Sequence, residues 1–186
     1  MRPEESPAEK VGPYLFAEPD ASVYAVLDGA SIDGLLARLH DYQPVSECLF
    51  RGTLNPPDLV QVAPYLVQLD FRSAFCDWVL DSGWGKHWGI FAVSRVDFRA
   101  MRNHFRGFLT VHDPAGTPLL FRYYDPRVLR VYLPTCNPQE LKTVFGPVLC
   151  YIAEGEEPNE LLRFQAAGGA LALNRKKLNE GTPQFV

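Results

Sequence analysis

The sequence predicts an α+β or α/β fold: a single domain with a mixed β-sheet flanked by helices. Three observations carry that expectation. Its 186 residues suit one domain, with a hydrophobic core that needs no disulfide or metal to close. Short apolar runs bounded by turn residues alternate with stretches of helical periodicity. A turn sequence, Asp113-Pro114-Ala115-Gly116, separates two extended runs and adds a hairpin to the strand–helix units.

Residues 1–21 read as a proline-rich segment, with Pro3, Pro7, Pro13 and Pro19 placing the start of regular structure after them. Ser22 to Leu27 is an apolar run ended by Asp28-Gly29, a buried strand and turn. Ser31 is the expected cap of a helix in which Ile32, Leu35, Leu36 and Leu39 recur at helical spacing before Pro44. Cys48 to Arg51 and Tyr65 to Leu69 read as strands on either side of a loop marked by Pro56-Pro57. A helix from Arg72 to Ser82 follows, with Gly83 as its stop. Trp88 to Val93 does not alternate, so it reads as a strand buried on both faces.

Ser94-x-x-Asp97 has the form of a capping box opening a helix that runs to Phe108. Leu109 to His112 and Pro118 to Tyr124 form the hairpin. Asp125-Pro126 is a helix start, Asp as cap and Pro where its missing N–H costs nothing. That helix stops near Pro134, and a short one spans Pro138 to Phe145. Val148 to Ile152 and Leu161 to Gln165 are late strands around the acidic loop Glu154-Gly155-Glu156-Glu157-Pro158. The domain is expected over 22–173, with 174–186 a polar tail.

Charge and composition narrow the function. Twelve Phe, eight Tyr and three Trp are too many for a disordered chain. A net charge of −4 argues against a protein that coats nucleic acid, although a local basic stripe remains. The acidic, proline-rich start lacks the basic and apolar parts of a secretory signal, and no apolar run reaches membrane-spanning length. Cys48, Cys76, Cys136 and Cys150 are widely spaced, without a C-x-x-C pair, and read as buried small hydrophobes in a reducing cytoplasm.

Templates for chemistry fail on spacing. Gly83-Trp84-Gly85-Lys86 has one residue between its glycines where a phosphate loop needs four, and His87 stands where Ser or Thr would reach magnesium. Gly29-Ala30-Ser31-Ile32-Asp33 lacks the second glycine of a nucleophile elbow. His40, His87, His104 and His112 show no paired metal-ligand spacing. No catalytic residue, cofactor site or metal site is expected.

Two constellations stand out. Along the helix from Val96 to Phe108 and the residue before it, Arg95, Arg99, Arg102 and Arg106 form one stripe beside a buried stripe of Phe98, Met101, Phe105 and Phe108. Four guanidiniums in line suit bidentate pairing with an acidic partner, or a solvated edge paired with local acids. In Leu119 to Arg130 an apolar strand passes through Tyr123-Tyr124 to Asp125-Pro126. Arg122, Asp125, Arg127 and Arg130 there suit either a buried ion-pair network or a partner anchor. Trp84 and Trp88 are further candidates for a partner surface, with burial beside the core strand as the alternative.

Taken in order, Tyr24-Ala25-Val26-Leu27-Asp28-Gly29-Ala30, Phe50-Arg51-Gly52, Ala63 to Val67, Gly83-Trp84-Gly85 and Phe121 to Arg130 with Tyr132-Leu133-Pro134-Thr135 resemble the type VI secretion adaptor/chaperone family (Tap/TEC). The resemblance runs from Val23 to Phe145. It implies a bacterial cytoplasmic protein that binds and stabilises a toxic effector and helps load it onto a VgrG-type spike. It implies no catalysis, cofactor, nucleic acid or membrane. Many members continue into a longer C-terminal extension. Two other readings stand beside it: a small hydrolase or transferase with catalytic carboxylates in a deep polar pocket, and a nucleic-acid-binding module using the arginine stripe.

Overall fold

The computed structural model describes residues 5–52, 59–157 and 159–178. The Pro56-Pro57 loop, Pro158 and the end of the expected tail lie outside the described residues. Strands β1 (Ser22–Asp28), β2 (Ser46–Cys48), β3 (Pro64–Leu69), β4 (Gly89–Ser94), β7 (Val148–Glu154), β8 (Glu160–Ala167) and β9 (Ala170–Lys177) form one sheet in the order β2-β3-β1-β4-β7-β8-β9. β5 (Thr110–His112) and β6 (Pro118–Leu120) make a separate hairpin. Every described pairing is antiparallel, so of the two expected classes the fold is α+β.

Both faces of the sheet are covered, which explains strands that read as unbroken apolar runs. Val23, Ala25 and Leu27 of β1 point into one core with α1 (Pro7–Leu15), α2 (Leu35–Tyr42) and α4 (Ala74–Gly83). Tyr24 and Val26 point into the other, with α5 (Phe98–Gly107), α6 (Pro126–Tyr132) and α7 (Pro138–Phe145). A short turn of helix, α3 (Leu59–Val62), leads into β3. Alternate side chains of a strand leave on opposite faces, so two helical layers demand apolar residues at every position.

Several local expectations shift. The N-terminal prolines do not exclude helix: Pro7 takes the first turn of α1, and Ser6 and Glu9 close a capping box around its open N–H groups. Ser31 does not cap α2. Asp28 caps a 3-10 turn at Gly29–Ser31, the Ser31 hydroxyl donates to Asp28, and α2 begins only after left-handed Gly34. At α5 Asp97, not Ser94, is the cap: it accepts from the Ala100 N–H at 2.8 Å, while the Ser94 hydroxyl donates to Pro147 O. β9 runs past Asn174 to Lys177, turned back from β8 by Gly168 and Gly169, both with positive φ. Cys76 and Cys150 are buried as expected, but Cys48 and Cys136 are half-buried, and all four are free thiols.

Candidate partner-binding site

β1 and β7 end, and β4 begins, at the same end of the sheet, where charged residues gather. Asp28, 1% exposed, accepts from the Arg122 guanidinium at 2.6 Å, the Ser31 hydroxyl at 2.8 Å and the Ala30 N–H at 3.1 Å. Asp125 caps α6 and is held in a fork by Arg127, at 3.0 and 2.7 Å. Burial pushes the Asp125 carboxyl up, but the Arg127 hydrogen bonds outweigh it and leave the group below its ordinary value. Tyr124, buried beside Asp28, is pushed up to about 12 by burial and then by the Asp28 charge.

Glu154 ends β7, buried. Its carboxylate accepts from the Gly85 N–H at 2.5 Å and the His87 N–H at 2.9 Å, and the His87 ring lies against it. Gly85 and His87 both have positive φ, so the turn aims its amides inward as a nest for an anion, and the chain's own carboxylate fills it. Arg130 donates to the Gly155 carbonyl at 2.6 Å, fastening α6 to the same strand end. Asp28 and Asp125 thus pair with Arg122 and Arg127, while Arg130 grips the main chain beside Glu154. The charges balance inside the chain, and the cluster joins β1, α6, β7 and the turn after α4.

The arginine stripe divides. Arg102 and Arg106 clasp Glu47 of β2 at 2.6 and 3.0 Å, and Arg106 also donates to the carbonyls of Cys48 (2.6 Å) and Leu49 (3.2 Å). The Arg102 hydrogen bond, more than burial opposes it, holds the Glu47 carboxyl below its usual value. Arg99 is exposed and makes no ion pair among the described residues. Trp84 and Trp88 are half-buried against the first core, Trp84 stacked on Phe91 and Trp88 5.0 Å from Trp78. Gly83 is needed because a Cβ there would lie 2.4 Å from the Trp88 ring.

Sequence reasoning missed the apolar surface. Leu119 and Leu120 are 49% and 50% exposed, Val111 is exposed opposite Leu119, and Val131 on α6 is 71% exposed. The signal was present: consecutive leucines on one strand leave on opposite faces, and a two-stranded ribbon cannot cover both. It also missed Asp28, Glu47, His87 and Glu154 as the partners of the candidate arginines and the tryptophan turn. Away from this end, α1 and α4 enclose a groove of about 600 Å³ lined by Glu9, Asp77, Asp81, Phe71 and Arg72. Two of its carboxylates are engaged: Asp81 accepts from the Ala8 N–H and Glu9 from the Ser6 N–H. Among the described residues no three His, Cys, Asp or Glu side chains converge to hold a metal ion, and no helix is long and apolar enough to cross a membrane.

Fold and site together define a three-layer α+β domain whose charged residues lock its elements together and whose hairpin and α6 leave apolar residues uncovered, as Val45, Val62 and Phe71 do elsewhere. The chain belongs to the family described as Domain of unknown function (DUF4123), which matches residues 23–143. That span holds the strings whose order resembles type VI secretion adaptors, from β1 into α7. No curated protein and no solved structure matches the chain.

Proposed function

We propose that the protein is a bacterial, cytoplasmic type VI secretion adaptor/chaperone of the Tap/TEC kind. It binds and stabilises a cognate effector and helps load it onto a VgrG-type spike. The observation that carries this reading is the family match over residues 23–143. The adaptor domain spans residues 22–173, with α1 packed into its first core and β9 continuing its sheet to Lys177, and its work is binding rather than catalysis.

The geometry supports a division of labour within that domain. The network of Arg122, Asp125, Arg127 and Arg130 fixes the corner from which α6 and the β5–β6 hairpin project. Val111, Leu119, Leu120 and Val131 offer apolar contact, with Arg99 as a cation on the helix that precedes the hairpin. Aromatic, arginine and apolar side chains of this kind dominate interface energetics once water is excluded around them. Trp84 and Trp88 act behind this surface, holding the turn that Glu154 organises.

The test is co-expression with any toxin and spike proteins encoded by neighbouring genes, followed by capture of the complex. A stable complex and loss of effector on deleting the gene are expected. Leu119→Asp with Leu120→Asp should abolish capture while leaving the melting temperature unchanged. Absence of a complex, together with unchanged effector level and secretion in the deletion strain, sinks the proposal.

A further inference from the structure

β9 is the last strand of the seven-stranded sheet, and among the described residues nothing pairs with its outer side. At eight residues it is as long as β8, whereas the opposite edge, β2, has three. Its two halves differ. Leu171 and Leu173 lie on the face packed against the second core, and Arg175 and Lys177 continue that face. Arg175 reaches back to Glu160 at 3.2 Å, while Lys176 leaves on the other face opposite Leu161. Three bases in three residues make a positive edge on a chain whose net charge is −4.

We infer that the β9 edge is a docking site for one extended polypeptide segment of a partner protein, a segment apolar in one half and acidic in the other. Main-chain groups of the segment would continue the ladder beyond β9. Its alternate side chains would lie beside Leu171 and Leu173 at one end and beside Arg175 and Lys177 at the other. Addition of a strand takes affinity from the backbone and specificity from alternate side chains. Lysines on an edge also repel other unpaired strands, so one feature excludes basic and admits acidic segments. The site lies outside the family-matched span of 23–143 and does not depend on the adaptor reading.

The test uses the full chain, isotope-labelled, titrated with a synthetic ten-residue peptide that alternates valine with threonine and then glutamate with threonine. The same composition in reverse order covers the other strand direction. Expected are amide shifts and slowed hydrogen exchange confined to β9 and β8, with affinity that falls as salt rises. Replacing the glutamates by lysine, or N-methylating the peptide amides that face β9, should abolish binding. Arg175→Gln with Lys177→Gln should weaken it roughly fivefold at an unchanged melting temperature.

No binding at millimolar peptide overturns the inference. So do shifts located away from β9, or equal binding of the lysine peptide. Protection of β9 that appears without peptide and grows with protein concentration overturns it in favour of pairing between two copies.

Discussion

Buried at 1% exposure, Asp28 ends β1, caps the 3-10 turn after it, and receives Arg122 from 94 residues away. Its value lies in satisfying several donors at once, and the charge it carries is tolerable only because Arg122 answers it. Arg122→Ala should therefore cost about 1–3 kcal/mol although its side chain is 43% exposed, because it strands a buried carboxylate. Asp28→Ala should cost a similar amount, and the double variant less than the sum of the two. Urea denaturation of the three variants measures this directly, and simple additivity would show that the pair is not coupled. The neighbouring Gly29 is dictated by the same corner: a Cβ there would sit 2.5 Å from the Ala63 carbonyl.

Helix α5 shows the same economy along one element. Its expected buried stripe is half borne out: Met101 and Phe105 are fully covered, while Phe98 and Phe108 are only partly buried against the same core. Its arginine stripe is split by its partners: Arg102 and Arg106 reach Glu47 of β2, whereas Arg99, one turn earlier, is exposed and makes no ion pair among the described residues. Arg106→Ala should cost about 2 kcal/mol, since it leaves two carbonyls and part of Glu47 without a donor. Arg99→Ala should stay within about 0.5 kcal/mol. Chemical denaturation separates the two, and equal costs would contradict the division of the stripe.

Across the whole molecule, acid should act in two steps. Burial holds the His104 imidazole below 6.5, against the opposing hydrogen bond to the Val144 carbonyl at 2.9 Å. A group depressed on folding contributes stability that is present above its unfolded value and lost as pH falls through its folded one. The first decline therefore begins below pH 6.5. Asp125 and Glu47, both depressed by arginine hydrogen bonds that outweigh burial, hold their contribution until stronger acid, below the ordinary carboxylate range. Thermal melting against pH should show both steps. His104→Gln should remove the first and leave the second; a profile unchanged by that variant would refute the assignment.

How much of this was legible depended on the range of the interaction. Asp125-Pro126 as a helix start, the hairpin turn at 113–116 and the doubly buried β4 were readable because each is decided by neighbours within a few residues. The N-terminal helix was hidden by prolines whose effect reverses at a first turn. β9 was hidden because Ala-Leu-Ala-Leu-Asn-Arg-Lys-Lys has little strand preference and becomes a strand only by pairing with β8.

By itself, the sequence determined a single domain of α+β or α/β class, most of its elements, and the ordered strings that resemble the family. The all-antiparallel pairing that makes it α+β is visible only in the structure. Only the tertiary structure decided what the charges are for. Arg122 meets Asp28, Arg106 meets Glu47, and Glu154 meets the Gly85 turn across separations of 94, 59 and 69 residues. Local pattern carries no information over such distances. Which arginines are consumed inside the fold, and which apolar residues stay outside it, follows from how the two helical layers close on the sheet.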